Sequence, residues 1–262
     1  MGAARGPRAG GTHGVGKPHP ARSQPLSRIR PVALDNAAPT KRSATTTTIW
    51  NKILMAVSGL LFILFVLGHM LGNLKILQSH EAFDTYAHHL RTMGEPILPY
   101  EGALWIVRLV LLAAVLAHVV LAVKLWGRAK KGRSVGYAMK KSLTSSLASR
   151  TMRWGGIALL LFVVFHILHF TTKTIHPQGE LASPAANYVE SFEIWWVLLI
   201  YVLAMAALGM HIFHGFFSAM QTLGLTKTKN IPMLRTIGAV LAALVVVGFL
   251  VPPFAVFLDL VN

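Results

Sequence analysis

Six histidines of this 262-residue chain fall inside long apolar stretches: His69, His118, His166, His169, His211 and His214. Neutral imidazole ligates transition metals and relays protons, so in an apolar helix it can serve as metal ligand, proton carrier or polar helix contact. A single one ordinarily serves as the contact, hydrogen-bonded across a bundle. Four stretches that each supply one at a matched depth ask for more than that. The chain holds 12 His and 10 Met but no Cys. Disulfides, thiolate zinc sites, cysteine-ligated iron–sulfur clusters and covalently attached c-type haem are therefore excluded, and a bound metal must be held by His, Met or carboxylate.

The elements that position these histidines are five apolar segments: Lys52–Leu77, Gly102–Trp126, Arg153–Thr172, Glu193–Ala219 and Leu234–Leu258. Each supplies the ~20 helical residues that cross a ~30 Å hydrocarbon core. The expected fold class is all-α integral membrane with five transmembrane helices. Pro252 and Pro253, which lack the backbone donor a helix interior uses, should kink or finish the last one.

Depth follows from the helical rise of about 1.5 Å per residue. His69 lies 17 positions after Lys52 and His166 lies 13 after Arg153, roughly 20–25 Å from the charged edge where those segments begin. His118 lies 6 positions before Lys124 and His211 lies 10 before Gln221, about 9–15 Å from the same edge. The arithmetic supports two bis-histidine sites, one toward each membrane face. Imidazoles on both axial sides are a standard way for a helix bundle to hold low-spin haem iron, whereas zinc wants a third or fourth ligand. The expectation is a four-helix haem-binding bundle plus a fifth, histidine-free helix. Depth does not separate His166 from His169 or His211 from His214, since residues three apart share a helix face; it slightly favours His169 and His214. Gly59, Gly68 and Gly72 around His69, and Gly209 and Gly215 around His211, are either room for a flat macrocycle or plain helix contacts.

Composition agrees with a membrane location. Apolar residues make up 54% of the chain and charged ones 13%, about half the charge of a soluble domain. The 25 Lys+Arg against 9 Asp+Glu give a net charge of +16. In a soluble protein that would point to nucleic acid, but here the bases are distributed as membrane topology requires, and no nucleic-acid partner is expected. Residues 1–44, rich in Gly, Pro, Ala and Arg with one acid (Asp35), read as a disordered basic tail and not as a secretory signal; the membrane domain is 45–262. Bases crowd the tail, the connection between the second and third spans (Lys124 to Arg153) and the fourth connection (Lys227, Lys229, Arg235), while the opposite loops carry Glu81, Asp84, Glu95, Glu101, Glu180 and Glu190. The N-terminus is therefore expected in the cytoplasm and the C-terminus outside. The basic face could also dock an acidic subunit or anionic lipid.

The stretch from Gly59 to Asn73 with its Gly68-His69 and Gly72, the stretch from Glu81 to His88, Ala117-His118, and His211-Ile-Phe-His214-Gly215-Phe-Phe-Ser218 resemble the di-haem cytochrome b anchor of bacterial succinate:menaquinone oxidoreductases and the related fumarate reductases. The resemblance covers about residues 45–258. It implies two b haems on the four histidine-bearing spans and selects His166, ten residues after Gly156, and His211, four before Gly215. It also implies a flavoprotein and an iron–sulfur subunit as soluble cytoplasmic partners, in agreement with the missing cysteines. Electrons would then pass from the iron–sulfur partner to an inner haem (His118, His211), to an outer haem (His69, His166) and to menaquinone near the outer face. Such a subunit joins the tricarboxylic acid cycle to the respiratory chain in the bacterial inner (plasma) membrane.

Two further sets of residues bear on that expectation. Arg108 sits inside the second span, where a guanidinium costs at least ~2.5 kcal/mol unless paired or snorkelling, and is a candidate partner for an outer haem propionate. Glu81, His88, His89, Arg91 and Glu101 in the first outer loop could exchange protons with a quinone. Rival readings are the cytochrome b subunit of another respiratory dehydrogenase and a transporter that uses its histidines as a proton relay; the second lacks an inverted repeat and intramembrane acids.

Overall fold

A computed structural model of the chain describes residues 48–131, 147–177 and 183–261, with Gly2 and Gly179. The expected tail, 1–44, lies outside the described residues apart from Gly2, as do 132–146 of the basic connection. Among the described residues there is no strand. Those residues form seven helices in order: α1 (Thr48–Asn73), α2 (His80–Thr92), α3 (Gly102–Lys131), α4 (Leu147–His166), α5 (Pro184–Phe192), α6 (Trp195–Thr222) and α7 (Ile231–Phe257). α1 runs on into a 3-10 turn at Leu74–Leu77, and α4 into a π-helical turn at Ile167–Thr171. Five helices, α1, α3, α4, α6 and α7, are long and apolar enough to cross a membrane, and the chain is a multi-pass membrane protein. Their outward faces carry exposed Leu64, Leu71, Leu109, Leu116, Leu161, Leu203 and Val247, which a bilayer covers where water would not. All six tryptophans lie near the ends of these helices, the interfacial depth that suits an amphipathic ring.

α6 is the centre of the bundle, packing on α7, α4 and α1, while α1 also packs on α3 and α7. The fifth span is thus an integral member of the bundle and not an appendage. It also runs through both prolines to Phe257 instead of ending at them, since a membrane helix tolerates the lost backbone donors when neighbours shield the freed carbonyls. Pro252 and Pro253 are both buried.

Two elements depart from expectation: the loops after the first and third spans contain helices. α2 is capped by Ser79, whose hydroxyl accepts from the Ala82 N–H at 3.0 Å, and α5 by Ser183, which accepts from the Ala186 N–H at 3.1 Å with Pro184 in the first turn. They dock on each other at one end of the bundle. Asp84 of α2 accepts from the Ala185 N–H at 2.8 Å, placing a carboxylate at the positive end of α5, and Phe83 packs against Tyr188 at 5.5 Å. Burial pushes the Tyr188 phenol well above its ordinary pKa, so it sits there as a neutral ring among Phe170 and Phe192. The acids gather at one end of the bundle, where Lys75, Arg91, Arg108 and Lys173 accompany them. Every acid among the described residues lies at the α2–α5 end, whereas Lys52, Lys124, Arg128, Arg153, Lys227, Lys229 and Arg235 lie at the other. At that basic end Arg153 stacks over Trp126 at 5.2 Å and Arg235 over Phe217 at 5.2 Å.

Candidate functional site

The structure brings the transmembrane histidines together in two pairs. His69 of α1 faces His166 of α4 with ring centroids 5.8 Å apart, near the α2–α5 end. His118 of α3 faces His211 of α6 at 6.3 Å, toward the basic end. Neither α1 and α4 nor α3 and α6 are among the closely packed helix pairs. In each pair the side chains therefore reach toward one another across a gap between backbones. Ten residues of α6 separate Tyr201, which bonds His166, from His211, and eleven residues of α1 separate Ser58, which bonds His118, from His69. Both spacings place the two pairs ~15 Å apart along the bundle.

Each pair has one ring anchored by the protein. Ser58 Oγ donates to the Met55 carbonyl at 3.1 Å and lies 2.9 Å from His118 Nδ1. A Ser58 hydroxyl that donates to the Met55 carbonyl has lone pairs left for an Nδ1–H of His118, and in that tautomer Nε2 keeps a free lone pair. His166 Nδ1 lies 3.1 Å from Tyr201 Oη. Phenylalanines brace the rings at the one-turn spacing that makes helix neighbours: Phe65 stacks on His69 at 5.4 Å and Phe162 on His166 at 5.8 Å. Phe249 of the histidine-free α7 closes on His69 at 5.8 Å.

The two alternative histidines are placed differently. His169 is fully buried, with Nδ1 3.0 Å from Tyr201 Oη and Nε2 3.3 Å from Ser191 Oγ, so both of its nitrogens are engaged by protein. Its ring stacks on His176 at 5.2 Å, away from His69. His214 is half-buried, and the ring that meets His118 is that of His211.

Two imidazoles that ligate one metal ion from opposite sides at ~2.0 Å hold their ring centroids ~6 Å apart, the spacing of both pairs. Among the described residues no group of three or more His, Asp or Glu gathers around one point, so each site offers the two-nitrogen donor set of axial haem ligation. His211 Nδ1 is buried without a hydrogen-bond partner, so no hydrogen bond of the protein fixes which of its ring nitrogens carries the hydrogen. The glycines divide into two groups. A Cβ at Gly59 would stand 3.6 Å from the His118 ring, one at Gly156 3.8 Å from the His211 ring, and at Gly68 nothing lies within 4 Å. Gly59 and Gly156 thus have room for a methyl group beside the inner pair's rings, and the exposed Gly68 opens to the bundle surface. Gly72 and Gly209 are helix contacts instead, where a Cβ would come within 2.6 Å of Tyr86 and 2.7 Å of Val246. The residues present fit a b haem at each pair.

The loop candidates fall in two places. Glu81 lines an open groove of about 560 Å³ with Lys75, Ser79, Thr85, Tyr86 and His89, while His88 is exposed. Glu101 instead lies between two guanidiniums, accepting from Arg91 Nε at 3.1 Å and from Arg108 Nη1 at 3.3 Å. Arg108 also stacks over Trp105 at 4.9 Å. Its charge at membrane depth is thus met within the chain, and the cluster keeps one positive charge beyond what Glu101 balances. Glu101 has φ 61°, a left-handed conformation that costs a residue with a Cβ ~1 kcal/mol or more. It is held there by its N–H donating to the Arg91 carbonyl and by both ion pairs.

Tyr201, Ser191, His176, Ser58 and Phe249 are the neighbours that reading the sequence missed. A signal existed for the first, because a phenol in the interior of an apolar span must find a hydrogen-bond partner, and for the phenylalanines in the repeated Phe-x-x-x-His spacing. Comparisons with protein-family models, with curated proteins and with solved structures give no match.

Proposed function

We propose that this chain is the di-haem cytochrome b subunit that anchors a succinate:menaquinone oxidoreductase in the bacterial inner membrane. The observation that carries the proposal is the pair of two-histidine sites, each formed by helices that do not pack on each other and stacked ~15 Å apart along the bundle. Haem b at each pair supplies reversible one-electron transfer between the soluble partners and menaquinone. His118 and His211 would hold the inner group, with Ser58 orienting His118, and His69 and His166 the outer one, with Tyr201 orienting His166. The Phe65, Phe162 and Phe249 rings brace the outer pair. The absence of cysteine suits a chain whose flavin and iron–sulfur clusters reside on two partner subunits. The basic end would face the cytoplasm and those partners, and the acid-bearing α2–α5 end would lie outside. There Glu81 and His89 in the groove, His88, and the Arg91–Glu101–Arg108 cluster stand where a quinone accepting electrons needs protons and a counter-charge.

The test is to purify the complex through this chain, assay pyridine haemochrome and identify what comes with it. Two haems per chain, with a flavoprotein, an iron–sulfur subunit and dye-coupled succinate oxidation, are expected. A value near one would make one histidine pair structural, and zero would end the proposal. Two haems with soluble subunits that do not oxidise succinate would place the chain in another respiratory dehydrogenase.

A further inference from the structure

Behind the His69–His166 pair a chain of buried polar groups runs from the loop before α5 to α6. Its members are buried almost completely: His169 and Ser191 are 0% exposed, Asn187 2%, His176 6% and Tyr201 8%. His176 Nε2 lies 3.0 Å from the Asn187 carbonyl oxygen and 2.9 Å from Ser191 Oγ. Ser191 Oγ lies 2.6 Å from the same carbonyl. From Ser191 the chain continues to His169 Nε2 at 3.3 Å, from His169 Nδ1 to Tyr201 Oη at 3.0 Å, and from Tyr201 Oη to His166 Nδ1 at 3.1 Å.

The direction of these bonds is set at the Asn187 end. A carbonyl oxygen only accepts, and at 2.6 Å the Ser191 hydroxyl is its short donor. Ser191 then has only lone pairs left for His169, which must present Nε2–H to it. A neutral imidazole with hydrogen on Nε2 has a lone pair on Nδ1, which accepts the Tyr201 hydroxyl. The Tyr201 oxygen in turn accepts the Nδ1–H of His166, leaving Nε2 of His166 unprotonated. Reversing the Ser191 hydroxyl toward His169 would reverse every later bond and put the hydrogen of His166 on Nε2, where it blocks ligation.

We infer that Ser191, His169 and Tyr201 are positioning residues that hold His166 as its Nδ1–H tautomer and so leave its Nε2 free to hold the outer haem. This rests on the function proposed above. It also gives His169 a role other than ligand. An acceptor on Nδ1–H makes the opposite nitrogen a stronger donor, which favours the oxidised metal and lowers the potential of that site. The inner pair, whose anchored ring ends on the single hydroxyl of Ser58, has no such extended chain among the described residues.

Redox titration of the full complex by visible spectroscopy, with haem transfer to excess apomyoglobin, tests this in Tyr201→Phe and Ser191→Ala. Tyr201→Phe keeps the ring packing and removes the acceptor. The outer component should titrate at higher potential and lose its haem with affinity reduced ~10–100-fold, the usual effect of deleting such a partner. The inner component should not move. Ser191→Ala, two bonds further out, should shift the same component the same way by less. If wild type binds two haems and neither variant moves the outer potential, the relay is refuted while the haem assignment stands. A shift of both components equally also refutes it, since a general loosening of the bundle would do that. Wild type without haem refutes the function and not the hydrogen-bond order, which a histidine tautomer measurement by nitrogen NMR reads directly.

Discussion

Gly59 and Gly209 make opposed predictions, because the structure assigns one glycine to the space beside a histidine and the other to a helix contact. At Gly59 an added Cβ meets only the His118 ring, at an ordinary 3.6 Å. Alanine therefore fits, and should stabilise α1 by ~0.5–1 kcal/mol through helix propensity. Leucine adds three further carbons from a Cβ that already touches the ring, so they occupy the space next to it. At Gly209 the first carbon alone would stand 2.7 Å from Val246 Cγ2 on α7, below any van der Waals separation, and overpacking of this kind costs ~1–3 kcal/mol. The assay combines pyridine haemochrome with thermal unfolding of the detergent-solubilised complex. Gly59→Ala should keep two haems and raise the melting temperature slightly, and Gly59→Leu should drop to one haem at near-normal stability. Gly209→Ala should lower the melting temperature while retaining both haems in the folded fraction. If Gly59→Leu still carries two haems, the space beside His118 is lipid-facing or packing volume and not part of a cofactor site.

Replacing His118 or His211 by alanine should remove the inner haem alone, and replacing His69 or His166 the outer one alone, read from the spectrum of each variant. Loss of a haem in His169→Ala with both retained in His166→Ala would show that the ring engaged by Tyr201 and Ser191 is the ligand after all. Glu101→Gln leaves two partly exposed guanidiniums unbalanced; exposed pairs are worth ~0–1 kcal/mol, so stability should barely change while succinate-driven quinone reduction falls and dye reduction does not. Equal effects on both electron acceptors would remove Glu101 from the quinone end. An uncoupler should slow succinate-driven menaquinone reduction in intact membranes, because protons taken up on the outer side make the reaction draw on the membrane potential at ~2.3 kcal/mol per charge per 100 mV. A bound quinone found beside His118 would instead place that reaction at the basic end.

The number of spans, the gathering of the acids at one end, and the depths of His69, His118, His166 and His211 can all be derived from the sequence alone. Each depends on a quantity the helical backbone holds constant. Span length follows from apolar run length, and depth from a rise per residue that hydrogen bonding sets regardless of neighbours. The azimuth of a side chain and the identity of its partner are not of that kind. His166 and His169 share a helix face, and their separation into one ring turned to His69 and one turned to His176 depends on the π-helical turn at Ile167–Thr171 and on Tyr201 standing between them on another helix. Gly59 and Gly209 look alike in the sequence and differ only in what the facing helix sets opposite them, the His118 ring of α3 at an ordinary contact distance for the first and the Val246 side chain of α7 too close for a Cβ for the second. Arg108 could be assigned a partner only once the strained turn at Glu101 had brought Arg91 to the same carboxylate. α2 and α5, whose serine caps and proline are visible in the sequence, are short for isolated helices; they are held by docking on each other through Asp84, Phe83 and Tyr188, contacts between residues about one hundred positions apart.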